Sequence, residues 1–176
     1  MDWLDIRETL FDIAKYIVVI VIILFIICYV ASVTQVVGDS MNPTLKDGEV
    51  FIMNKARYRF FDIKRGDIVS LDYADSKYLI KRVIGLPGER VNIIDNKLYI
   101  NDKVYKEKYL SRNMKYKDFY LKSLGYEKIP RDMYLLLGDN RKNSLDSREI
   151  GLIPKKDING KITFRFFPIH RIGFVS

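Results

Sequence analysis

The first sixteen residues mix apolar and charged positions, and then charge disappears. From Tyr16 to Gly38, YIVVIVIILFIICYVASVTQVVG, 23 consecutive residues carry no charged side chain. As a helix this run would be about 34 Å long, against a hydrocarbon thickness of about 30 Å. A cleaved leader would have an apolar core of about 7–15 residues behind a basic segment. Here the apolar stretch, Ile17 to Val33, has 17 residues, and residues 1–15 contain four acids and two bases. The pattern therefore predicts a retained transmembrane helix over residues 16–35, after an amino-terminal segment of residues 1–15. Arg7 and Lys15 precede the run and no base follows it until Lys46. That asymmetry places the amino terminus in the cytoplasm and residues 36–176 outside, on a single-pass cell-membrane protein.

Beyond the apolar run the period changes. Short segments rich in β-branched and aromatic residues alternate with turn signals, which predicts a mainly β domain over residues 36–176. The expected strands are Val50–Met53, Asp67–Leu71, Tyr78–Ile84, Arg90–Ile94, Lys97–Ile100, Met133–Leu137 and Lys161–Phe167. RVNII and KLYI, separated only by Asp95 and Asn96, read as a two-residue hairpin. Residues 103–132 break the pattern with nine bases, four acids and six aromatics. They read as a solvated insertion whose tyrosines half-pack on the sheet, in preference to a nucleic-acid surface, because no phosphate loop or single-strand-binding signature accompanies them.

Composition narrows the chemistry. Past residue 15 the chain holds 28 bases and 18 acids, a balance suited to an anionic membrane surface or to nucleic acid. The one cysteine, Cys28, lies inside the apolar run, so the outer domain has no internal disulfide and no Cys-rich or His-rich metal set. The one histidine, His170, reads as a surface or packing residue.

Ser40 stands in GDSMNPTL, seven residues past Val33, within about 23 Å of the end of the apolar stretch even if fully extended. As a nucleophile it needs a base. In KYLIKRVIG, residues 77–85, strand alternation sets Leu79, Lys81 and Val83 on one face and Ile80, Arg82 and Ile84 on the other. Both cations then lie among apolar neighbours. Arginine does not deprotonate in a protein, whereas burial penalises the charged form of lysine, so Lys81 is the usable base. The bland reading, a lysine snorkelling to solvent, remains open from spacing alone. A third segment, YLLLGDNRKNSLDSREIG at 134–151, runs from an apolar strand into a polar cluster. Its serines and acids either close a turn network or hold a neutral lysine amine in place.

Together the segments resemble one family, the bacterial type I signal peptidases. GDSMNPTL resembles the family's nucleophile block, FDIKRGDIV at 61–69 its next block, YLIKRVIGLPGE its lysine block and GDNRKNSLDSR its late Gly-Asp-Asn block, in the family's order. The resemblance implies an antiparallel signal-peptidase-type β domain on one amino-terminal transmembrane helix. It implies Ser40 as nucleophile, Lys81 as general base and Ser144 as the hydroxyl that positions the lysine amine. Asp146 and Arg148 are implied as a supporting ion pair. Many Gram-negative members have serine two residues before the nucleophile where this chain has Gly38, so the oxyanion site would rest on the Ser40 N–H with a main-chain group near Gly38. The substrate implied is a secretory preprotein with small residues at the first and third positions before the cut; Met41, Leu79 and Ile80 are the nearest candidates for its shallow pockets. No metal or organic cofactor is called for, membrane lipid is the expected surroundings, and nucleic acid is not an expected partner. The competing readings are a membrane-tethered β domain that binds without chemistry and a self-cleaving repressor. The first would suit a chain lacking Ser40 or Lys81, and the second needs a DNA-binding module where this chain has its apolar run.

Overall fold

The computed structural model describes residues 3–73, 77–111 and 114–175, so parts of the predicted amino-terminal segment and insertion, residues 1–2 and 112–113, lie outside the described residues. A helix α1 (Trp3–Phe25) continues through one π-helical turn, Ile26–Val30, straight into a strand β1 (Ala31–Gln35). The helix expected over 16–35 is thus displaced. It begins inside the charged leader, and residues 31–35 satisfy their backbone by pairing antiparallel with strand β2 (Val50–Asn54), Ala31 opposite Asn54 and Gln35 opposite Val50. Among the described residues no helix is long and apolar enough to cross a membrane. The apolar half of α1 nevertheless buries nothing, since every residue from Tyr16 to Ile26 is 46–71 % exposed.

The remaining strands are β3 (Ile68–Tyr73), β4 (Lys77–Gly85), β5 (Val91–Ile94), β6 (Lys97–Ile100), β7 (Lys103–Tyr105), β8 (Phe119–Tyr120), β9 (Met133–Leu137), β10 (Ile153–Pro154), β11 (Ile158–Phe167) and β12 (Gly173–Phe174). One antiparallel sheet runs β1-β2-β11-β3-β4-β9-β10, with β12 on β11, and a second runs β7-β6-β5-β8. All seven expected strands are present. Asp95 and Asn96 both take positive φ, 49° and 60°, the geometry that a two-residue hairpin of this twist requires. The additional strands β1, β7, β8, β10 and β12 are short or continuous with other patterns, so alternation did not expose them.

Sheet faces sort the core. In β9, Leu135 and Leu137 pack with Ile84, Ile93, Leu98 and Phe119 between the sheets, while Tyr134 and Leu136 pack with Val69, Leu71 and Val83. A strand buried on both faces reads as an unbroken apolar run, as MYLLL does. A third cluster, Val36, Met41, Leu45, Phe51, Met53, Ile68 and Ile162, lies under the segment between β1 and β2 that carries Ser40.

Candidate active site

Ser40 is held by its neighbours. Met41 and Leu45 are 1 % and 0 % exposed, joined by a Leu45 N–H to Met41 carbonyl bond of 3.0 Å, and each such burial stabilises the segment by about 1.5–3 kcal/mol. With Met41 driven into the core, Ser40 is left at the rim. From the other side the loop after β9 clamps the same segment: the Asn140 N–H donates to the Ser40 carbonyl at 2.9 Å and Asn140 Nδ2 to the Asp39 carbonyl at 3.2 Å.

Lys81, from the middle of β4, is 2 % exposed, and its Nζ lies 2.8 Å from Ser40 Oγ and 2.9 Å from the Ile80 carbonyl oxygen. Residues 41 apart in sequence therefore meet at hydrogen-bond distance. Burial pushes the Lys81 amine down to about 8, against the opposing pull of the Asp146 and Asp139 carboxylates. An amine so placed loses its proton near neutrality and has a serine hydroxyl to take one from.

Asp146 is fully buried and accepts from Arg148 Nε and Nη2, both at 2.8 Å, and from the Gly138 N–H at 3.0 Å. Burial would raise its carboxyl, but the Arg148 fork and the Gly138 amide outweigh it and hold it below its usual range. Asp146 also caps a one-turn helix α2 (Ser147–Ile150) through the Arg148 N–H. Ser144 Oγ is buried beside Gly138 and has no hydrogen-bond partner among the described residues. Its hydroxyl helps keep Asp146 ionised without making a bond of good geometry to it, and no hydrogen bond joins it to Lys81. Gly38, at φ +84°, donates its N–H to Asp47 Oδ1 at 2.7 Å, so that amide is already engaged. The Ser40 N–H has no partner among the described residues.

Lys81 and Ser40 line a cleft of about 450 Å³ together with Gln35, Val36, Met41, Tyr78, Leu79 and Ile80. The three predicted pocket residues are there, with Met41 buried and Leu79 and Ile80 half-buried. Two strand edges flank the cleft. β1 ends its sheet, and β4 pairs with β9 only at Arg82, Val83 and Gly85, which leaves Lys77 to Lys81 without a strand on that side.

A signal peptidase, peptidase S26, family model matches residues 10–167. The chain belongs to the signal peptidase family. A signal peptidase I of Bacillus amyloliquefaciens is 40% identical over 172 residues, covering 94% of this chain and 92% of that one. A signal peptidase IB of Staphylococcus aureus (strain COL) is 39% identical over 160 residues, 84% of each chain. The crystal structure of a signal peptidase I from Enterococcus faecalis V583 superposes with a TM-score of 0.54 at 36% identity, covering 58% of this chain and 98% of that one.

Signal peptidase family membership sets the fold, while a further ion pair lies beside Lys81, and sequence reasoning missed it. Arg82, next to Lys81, is 2 % exposed and donates from Nε and Nη2 to the two oxygens of the fully buried Asp139, each at 2.9 Å. Thr44 Oγ1 donates to the same carboxylate. One pair thus ties β4, the segment that carries Ser40 and the Gly-Asp-Asn loop together. The available signal was Arg82 itself, an arginine that alternation sets among apolar side chains and that burial obliges to find a carboxylate.

Proposed function

We propose that this chain is a membrane-tethered serine endopeptidase that removes signal peptides from secretory preproteins with a Ser40/Lys81 dyad. The observation that carries the reading is the 2.8 Å approach of a buried lysine amine to a serine hydroxyl in the lining of an apolar cleft. An extended peptide fits between the two open edges, where main-chain bonds give affinity and the cleft walls select small side chains. Neutral Lys81 takes the Ser40 proton as Oγ attacks the scissile carbonyl. The free Ser40 N–H faces the developing oxyanion, and the lysine returns its proton to the leaving amine. Lys81 then takes a proton from water as the water oxygen attacks the acyl carbonyl, and returns that proton to Ser40 Oγ as the ester bond breaks and the carboxyl product leaves.

The tether is α1. A helix apolar on every face and packed against nothing is stable inside lipid, and Tyr16–Ile26 has that character. Its charged beginning stays on the cytoplasmic side in this reading, and the domain that carries Ser40 lies outside, close to the bilayer surface.

The test is incubation of the detergent-solubilised full chain with a preprotein, with mass spectrometry of the products. The expected result is one cut, after small residues at the first and third positions, and none with Ser40→Ala, which removes a half-buried side chain and leaves the fold intact. An uncut preprotein, or cleavage by Ser40→Ala at the wild-type rate, refutes the proposal.

A further inference from the structure

The insertion at 103–132 does not stand off in solvent; one of its acids reaches the back of the site. Glu107 and Arg141 form an ion pair with side chains only 4 % and 0 % exposed. Arg141 donates from Nη1 to Glu107 Oε2 at 3.1 Å and from Nη2 to Oε1, while its Nε donates to the Gly138 carbonyl at 3.0 Å. Tyr109 donates its hydroxyl to Glu107 Oε1 and lays its ring 4.0 Å from the guanidinium carbon of Arg82, the partner of Asp139. The Tyr116 ring lies 5.3 Å from that of Arg141.

Gly138 is the junction. Its carbonyl receives Arg141, its N–H goes to Asp146, and its α-carbon is so close to Ser144 Oγ and the Ser40 carbonyl that a Cβ would overlap both. Residues 138–146 have no helix or strand of their own to hold them. Beside them, on the side of the insertion, lies an open groove of about 750 Å³ bordered by Tyr116, Phe119, Arg141, Ser144 and Arg148. Packing therefore leaves the loop room to shift, and the Glu107–Arg141–Gly138 chain spans that side of it. Buried ion pairs contribute little net stability beside apolar packing, and their best-attested use is to fix one geometry.

We propose that Glu107 is a positioning residue for the dyad: acting through Arg141, it fixes the Gly138–Asp146 loop, and with it Ser144 and the carbonyl side of Ser40, in the arrangement that turnover requires. This inference rests on the Ser40/Lys81 reading. Loss of the Glu107 charge leaves the Arg141 guanidinium buried and unpaired, so it swings toward solvent and releases the Gly138 carbonyl. Water then reaches the Lys81 amine. Desolvation is the larger influence on that amine, ahead of Asp146 and Asp139, so its relief outweighs any retreat of the two carboxylates.

The experiment uses the detergent-solubilised full chain, a fluorogenic peptide spanning a signal-peptide cleavage site, and active-site titration with a serine-acylating reagent. Glu107→Gln is expected to lower kcat per titrated site by about 10- to 100-fold, with KM within about threefold, and to move the rising limb of kcat against pH to higher pH. Arg141→Lys keeps the buried charge pair but removes the bond to Gly138; it should give the same signature with the thermal midpoint nearly unchanged. It decides the matter alone if Glu107→Gln does not fold. Glu127→Gln, in an exposed pair with Lys122 elsewhere in the insertion, should match wild type. Wild-type kcat and pH midpoint in Arg141→Lys, or a Glu107→Gln loss confined to the fraction of titratable sites, overturns the positioning role. Cleavage by Ser40→Ala, run in parallel, would instead refute the dyad reading.

Discussion

Lys81 couples activity to stability with opposite sign. Burial lowers its amine from an ordinary 10.5 to about 8, a difference of 2.5 units worth about 3 kcal/mol between the charged and neutral forms. In the proposed mechanism catalysis needs the neutral form, so kcat should rise about tenfold between pH 7 and pH 9 as the neutral fraction climbs from about 9 % to about 91 %. Stability follows from the same shift. Between the folded value near 8 and the unfolded value near 10.5 the unfolded chain binds more protons, so stability rises with pH across that window. Below pH 8 the folded protein carries the full penalty of a buried ammonium. Lys81→Met should therefore be more stable than wild type at pH 6.5, by up to about 3 kcal/mol, less what is lost with the bonds to Ser40 and Ile80. The excess should fall as pH approaches 10.5. The assays are the pH profile of kcat and denaturant unfolding of the solubilised chain at pH 6.5 and 10. Lys81→Arg should be as inactive as Lys81→Met, because a guanidinium keeps its proton, and His170→Ala should leave the midpoint in place. A flat profile, substantial turnover in Lys81→Arg, or a stability gap between wild type and Lys81→Met that does not vary with pH would refute the reasoning.

Ser144→Ala should lower turnover by one to three decades, about 1.5–4 kcal/mol, with little change in stability. Its Oγ is a buried acceptor without a partner, and a Lys81 ammonium has one N–H beyond those directed at Ser40 and Ile80; unchanged kcat would make Ser144 a loop residue only. Gly138→Ala should reduce kcat by about 100-fold or more, since its Cβ collides with Ser144 Oγ and the Ser40 carbonyl and displaces both; wild-type kinetics would show that the loop yields freely. Asp139→Ala should cost roughly 3–5 kcal/mol in denaturant unfolding, because it strands the Arg82 guanidinium in the core. A loss under about 1 kcal/mol would mean that Arg82 reaches solvent.

How far the sequence reaches depends on the range of the interactions involved. The seven expected strands and the Asp95–Asn96 hairpin were legible because alternation and turn chemistry are local, and Ser40 and Lys81 could be named as candidates because each stands in a segment that resembles a block of the family. The helix boundary was not. Residues 31–35, ASVTQ, continue the uncharged run, and they form a strand by pairing with β2, a partner that lies fifteen or more residues ahead in the chain. The same holds for the bracing of the site. Arg82 and Asp139 are 57 residues apart, and Arg141 lies 34 residues from Glu107, which belongs to an insertion whose composition reads as a solvated surface. Which buried cation takes which carboxylate depends on how the two sheets close over each other. Composition and period carry no record of that closure, so the sequence by itself determined the family resemblance, the candidate residues and seven of the twelve strands, and the tertiary structure alone decided how those candidates are held.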